Sequence, residues 1–159
     1  MHEYTASIQW TRSGTPFTAN RYSRRHHWTF DGGASIPAAA SPQVVPPTLT
    51  DATCVDPEEA FVAALSSCHM LWFLSIAAER GITVERYDDA PVGRMNPDAE
   101  VVWMSRVTLR PAVAYAAPVP STAVQEVMHE AAHAQCFLAN SVRTDIVISP
   151  RDGSEADVG

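Results

Sequence analysis

The sequence predicts an α+β domain organised around one long apolar helix. Three observations carry that prediction. Residues 56–81, DPEEAFVAALSSCHMLWFLSIAAERG, have both ends of a helix written into them. Short runs of alternating apolar and polar residues stand on either side of it. A second, amphipathic pattern lies near the C-terminus, and antiparallel strands with two inserted helices make an α+β arrangement.

The central helix is expected over about 57–80. Asp56 suits the N-cap, Pro57 the first helical position, and Glu59 the acid of a capping box. Glu58 and Glu59 put negative charge at the positive end of the helix dipole, and Arg80-Gly81 makes an ordinary C-terminus. Between Ala60 and Ala78 the only acid or base is His69. Such a segment nearly suffices to span a bilayer. Ser66, Ser67, His69 and Ser75, and acids at the entry, favour the buried helix of a soluble domain with no membrane partner.

Before that helix, Tyr4, Ala6, Ile8 and Trp10 alternate with polar residues, as in a half-buried strand. Residues 11–20 form a loop. A second strand over about Ser23–Phe30 ends at the turn Asp31-Gly32-Gly33. The Pro- and Ala-rich segment 34–55 is expected to be irregular, with at most a short strand near Val44. After the helix come a strand at Ile82–Tyr87, continued past a bend by Ala90–Met95, and a long β-rich stretch at Glu100–Tyr115. Pro111 in that stretch marks an edge or a bulge. A second helix follows at about 122–136, capped by Thr122 and Gln125, with Val124, Val127, Met128, Ala131 and Ala132 as its apolar stripe. A last strand, Thr144–Ser149, completes a single domain over 1–150, leaving 151–159 as a frayed tail.

Composition narrows the function. The 159 residues carry a formal charge of −7, which disfavours a nucleic-acid partner. All eleven cations are arginine. MHEYTASIQW has no basic region followed by an apolar run, so no secretory signal is expected. Three cysteines, an odd number, fit thiols in a reducing, cytoplasmic compartment better than a disulfide scaffold.

Three constellations offer chemistry. Cys68 on the central helix and Cys136 at the end of the second have polar neighbours, and two thiols brought together there would form a redox couple; Cys54 is read as incidental. His129-Glu130-Ala131-Ala132-His133 matches HExxH, and with Cys136 it could supply three zinc ligands on one helix face. Arg21, Arg24, Arg25, His26 and His27 form a basic cluster, most of it solvent-facing on a strand.

These residues resemble a family. DPEEAFVAALSSC is similar to the helix start and peroxidatic cysteine of the OsmC/Ohr proteins, the osmotically inducible and organic-hydroperoxide-resistance proteins. Glu58 lies ten residues before Cys68, and His133-Ala134-Gln135-Cys136 resembles the family's second motif. Here Phe137 follows the second cysteine in place of proline, and bulky His69 follows the first. The resemblance implies an OsmC-like fold of antiparallel sheets wrapped around the central helix, in an intertwined homodimer. It implies a peroxidase acting on organic hydroperoxides, and on hydrogen peroxide by the same step, with no cofactor and a lipoyl-type or small dithiol as reductant. It makes Cys68 the peroxidatic thiol, Cys136 the resolving thiol and Glu58 the acid that positions an arginine, Arg21 or Arg24, with Arg21 preferred. Glu58 and Cys68 stand about 15 Å apart along a straight helix, so an arginine or a second subunit must join them. Two alternatives stay open: a zinc-binding protein or hydrolase using His129 and His133, and a non-catalytic member of the fold binding an apolar ligand.

Overall fold

The computed structural model describes residues 2–14 and 16–153, and the chain divides into two compact units, Met1–Ala60 and Phe61–Gly159. The first unit holds a three-stranded antiparallel sheet, β1 (Ala6–Gln9), β2 (His26–Phe30) and β3 (Ser35–Ala38), in that order. The turn at 31–33 joins β2 to β3, with Gly33 at φ 85°, a conformation open to glycine. β3 lies within the stretch expected to be irregular, and Val44 is in a turn, not a strand. Pro37 is tolerated because β3 is an outer strand. All four residues of β1 are exposed, in contrast to the half-buried strand expected: β1 is the other edge of the sheet, and within this unit nothing covers Ile8.

Helix α1 (Pro57–Glu79) begins as the sequence predicts. The Glu59 amide donates to Asp56 Oδ1 at 2.7 Å, and the Asp56 amide donates to Glu59 Oε2 at 3.4 Å, a reciprocal capping box. Gly81, at φ 69°, ends it. By length and composition alone α1 could cross a membrane, with a mean hydropathy of 1.7, but it is a core helix of the second unit.

Two clusters of the second unit divide α1 between them. The first gathers Leu65 from α1 with Val107 and Leu109, flanked by Phe61, Val62, Met104, Ile146 and Ile148. It covers the sheet β5 (Val92–Asn96), β6 (Trp103–Leu109) and β8 (Asp145–Ile148). The second gathers Phe73, Ile76 and Ala77 with Met128 and Ala132 of α2 (Thr122–Gln135), against the pair β4 (Val84–Asp89) and β7 (Pro111–Tyr115). Between the clusters α1 presents a polar waist: Ser66, Cys68 and His69. Ser66 donates to Asp89 Oδ2 at 2.5 Å, and the other oxygen of that carboxylate accepts the Arg110 amide at 2.6 Å.

The Asp89–Arg110 bond marks where two expected long strands each break in two. The stretch from 82 to 96 forms β4 and β5, and that from 100 to 115 forms β6 and β7, with the halves in different sheets. Pro111 opens β7, which pairs with β4. β8 pairs with β6 in parallel, the exception to the antiparallel arrangement expected. Ser121, not Thr122, is the N-cap of α2, without a side-chain bond, and Gln125 Nε2 instead donates to the Pro120 carbonyl at 2.9 Å. Of the expected tail, Arg151 bridges to Ala112, while residues 154–159 lie outside the described residues.

At Gly93 in β5 a methyl group has no room. A Cβ there would stand 2.7 Å from Met104 Sδ and 2.7 Å from Val62 Cγ2. Gly93→Ala is expected to cost about 1–3 kcal/mol, because Val62 is fixed to α1 and cannot retreat without shifting the helix. Urea unfolding measures it, and an unchanged midpoint would refute it.

Candidate functional site

The polar waist of α1 meets the C-terminal end of α2. Cys68 is half-buried, Cys136 fully buried, and both are free thiols. Cys136 caps α2. Its amide bonds to the His133 carbonyl at 3.2 Å, its carbonyl accepts Asn140 Nδ2 at 2.9 Å, and its sulfur accepts the Ala139 amide at 3.4 Å. Phe137 packs edge-on against Trp72, one turn beyond Cys68, with ring centroids 5.4 Å apart. The two thiols are neighbours, near enough for Cys68 to bear on the titration of Cys136. The Cys136 thiol is pushed up to about 11, chiefly by burial and then by the neighbouring Cys68 thiol, while the amides of Ala139 and Leu138 act in the other direction. The two cysteines thus differ in kind: Cys68 is the accessible sulfur, and Cys136 holds its proton at neutral pH.

His69 is buried at 1% exposure and His129 at 5%. His69 Nε2 and His129 Nδ1 are 3.1 Å apart, with ring planes 7° from parallel, and Phe73 stacks on His129 at 4.3 Å. Burial lowers both rings to about 4, and for His69 the neighbouring His129 and His133 add to the effect. Both are therefore neutral at pH 7. His69 Nδ1 and His133 Nδ1 are buried with no partner among the described residues.

The zinc reading finds no ligand set. Among the described residues no group of three His, Cys, Asp or Glu side chains stands where it could hold a metal ion. His129 turns to His69 instead of sharing a metal with His133 and Cys136.

The remaining expected residues lie in the first unit. Glu58 is in the first turn of α1, half-buried. Arg21 is exposed and makes no hydrogen bond or ion pair with the described residues. Arg24 is half-buried and held in place: its guanidinium lies 3.8 Å over the Tyr22 ring, donates to Asn20 Oδ1 at 2.7 Å and to the Tyr22 carbonyl, and its amide bonds to the Leu49 carbonyl at 2.8 Å. Arg25 pairs with Asp51 at 3.1 Å, and His26 accepts the Trp28 indole N–H at 2.9 Å. Cys54 is buried, its thiol raised by burial and by Asp51.

Residues 50–151 match the family model described as OsmC-like protein. The chain belongs to the OsmC family. This OsmC-like chain is also similar to a solved structure from Vibrio cholerae O1 biovar eltor, an OsmC-like protein of unknown function. Identity is 49% over 95% of this chain and 100% of that one, with a TM-score of 0.90. An organic hydroperoxide resistance protein OsmC from Legionella pneumophila shares 17% identity over 94% and 97% of the two chains, at a TM-score of 0.69. The organic hydroperoxide resistance protein OhrB of Bacillus subtilis shares 19% over 92% and 98%, at 0.60. At those two identities the likeness shows the fold alone. Among curated proteins none matches.

Of the residues expected from sequence, the structure brings Cys68 and Cys136 together within the second unit of this OsmC fold. The histidine bridge was missed. A single histidine on an apolar helix reads as a packing residue, and its partner lies sixty residues further along the chain.

Proposed function

We propose that this protein is a cysteine-based peroxidase that reduces organic hydroperoxides. One observation carries the reading: an accessible thiol and a buried, protonated thiol, from different helices, stand as neighbours, near enough for Cys68 to bear on the titration of Cys136. The hydroperoxide-resistance names of the Legionella and Bacillus structures give the reading its substrate.

Thiolate Cys68 attacks the terminal peroxide oxygen, the O–O bond breaks, and the alkoxide leaves, taking a proton from solvent to become the alcohol. Cys68 becomes a sulfenic acid. The Cys136 sulfur then attacks the Cys68 sulfur, the S–O bond breaks, and the hydroxyl leaves as water with the Cys136 proton. A dithiol, small or lipoyl-type, supplies the two electrons that reopen the disulfide. No cofactor is needed.

The thiolate requires a cation, and with no lysine in the chain an arginine or a protonated histidine has to supply it. The resemblance assigns that role to Arg21 or Arg24, positioned by Glu58. We favour Arg24 over the exposed Arg21, because the Arg24 guanidinium is held by Tyr22 and Asn20. Further parts of the same reading are a homodimer that completes each site and a reducing cytoplasm. Mass mapping after one equivalent of cumene hydroperoxide is the test. A Cys68–Cys136 disulfide with Cys54 still free is expected, and any other pairing rejects the scheme.

A further inference from the structure

The His69–His129 bridge has no part in the chemistry just described, and it is costly. Two imidazoles are withdrawn from water, and His69 Nδ1 finds no partner among the described residues. Two apolar side chains would fill the same space without that cost. The bridge has one property they lack, which is direction. Centroids 5.4 Å apart, planes 7° from parallel and nitrogens 3.1 Å apart place the rings edge to edge, so that the N–H points along the N···N line. One neutral ring donates and the other accepts, which fixes α1 and α2 in a single register. The surrounding contacts of Phe73 with Met128 and Ala132 tolerate sliding.

The place of the bridge matters as much as its geometry. His69 follows Cys68 directly in α1. His129 precedes Cys136 by seven residues, two helical turns, and therefore faces the same side of α2. We propose that His69 and His129 are positioning residues for the thiol pair, their hydrogen bond holding the two helices in the register at which the Cys68 and Cys136 sulfurs meet. The proposal rests on the redox reading of those cysteines. It concerns how readily the disulfide closes, not how peroxide is attacked.

The test equilibrates full-length protein in buffers of reduced and oxidised glutathione and quantifies the Cys68–Cys136 disulfide by alkylation and mass mapping. Forming it consumes one oxidised glutathione and releases two reduced ones. In His129→Leu the equilibrium constant is expected to fall at least ~10-fold, equivalent to a potential about 30 mV less reducing. The melting temperature should fall modestly, because the buried His69 ring loses its bonded partner. His129→Gln, which keeps a donor and an acceptor, should recover most of the loss. A constant within about twofold of wild type in folded His129→Leu overturns the proposal, as does a fall that His129→Gln shares in full. Should His129→Leu fail to fold, a double-mutant cycle of His69→Phe and His129→Phe, neither of which can donate or accept the bond, decides: non-additive effects on the constant support the bridge, and additive effects overturn it. A wild-type protein that closes the disulfide in glutathione yet consumes no peroxide would reject the peroxidase reading and leave the bridge standing.

Discussion

Replacing Cys68 by serine is expected to abolish hydroperoxide consumption, with turnover of cumene hydroperoxide falling at least ~10³-fold. The substitution changes one atom, so the half-buried site on α1 keeps its shape. A serine hydroxyl, however, does not ionise near neutral pH and cannot cleave an O–O bond as a thiolate does. The companion variants separate the roles. Cys136→Ser should still consume one equivalent of peroxide and then stall, leaving a sulfenic acid on Cys68 that dimedone traps. Cys54→Ser should turn over as wild type, because Cys54 has no part in the proposed scheme. Turnover unchanged in Cys68→Ser would remove Cys68 from the scheme, and a wild type that consumes no peroxide would leave the non-catalytic, ligand-binding reading as the better account of the fold.

Acid should unfold the protein earlier than its carboxylates alone would require. His69 and His129 bind a proton at about 4 in the folded state, against an ordinary value near 6.5. Between those values the unfolded chain holds more protons than the folded one, so stability rises with pH across that window. The contribution is complete above pH 6.5, declines as pH falls towards 4, and changes no further below it. For one ring moved that far it amounts to on the order of 3 kcal/mol. The two rings share a hydrogen bond, and protonating both would leave neither able to accept it. Urea midpoints measured between pH 7 and pH 4 test this. A flat profile in wild type would contradict it, and a fall that persists undiminished when both histidines are replaced by leucine would assign it to other groups.

Much of this molecule was legible in the sequence. The capping box of Asp56 and Glu59 is local, three residues apart, and it forms as the sequence predicts. The existence of both helices follows from the same local rules. What stayed hidden was non-local. Alternation over residues 100–115 describes a β-rich stretch equally well whether it is one bent strand or two strands in different sheets. The decision falls at Arg110, whose amide is held by Asp89 far back in the chain. Proline and alanine mask β3, which needs only one bonded neighbour along its length because it lies at an edge. Strand direction is not encoded in alternation, so the parallel pairing of β8 could not be read. The site divides the same way. Both thiols were visible from their helices, whereas the histidine that braces them has a meaning only beside its partner from the other helix.

The parallel pairing of β6 with β8 sets the order in which the chain can mature. Arg106 lies opposite Asp145, so β6 emerges during synthesis with one row of amides and carbonyls unmatched until nearly forty further residues have been made. Throughout that interval β6 can pair on one side only, with β5, and its other edge is open to neighbouring nascent chains. β8 therefore closes a sheet begun much earlier, and a polypeptide cut short before Asp145 would be released with that edge uncovered.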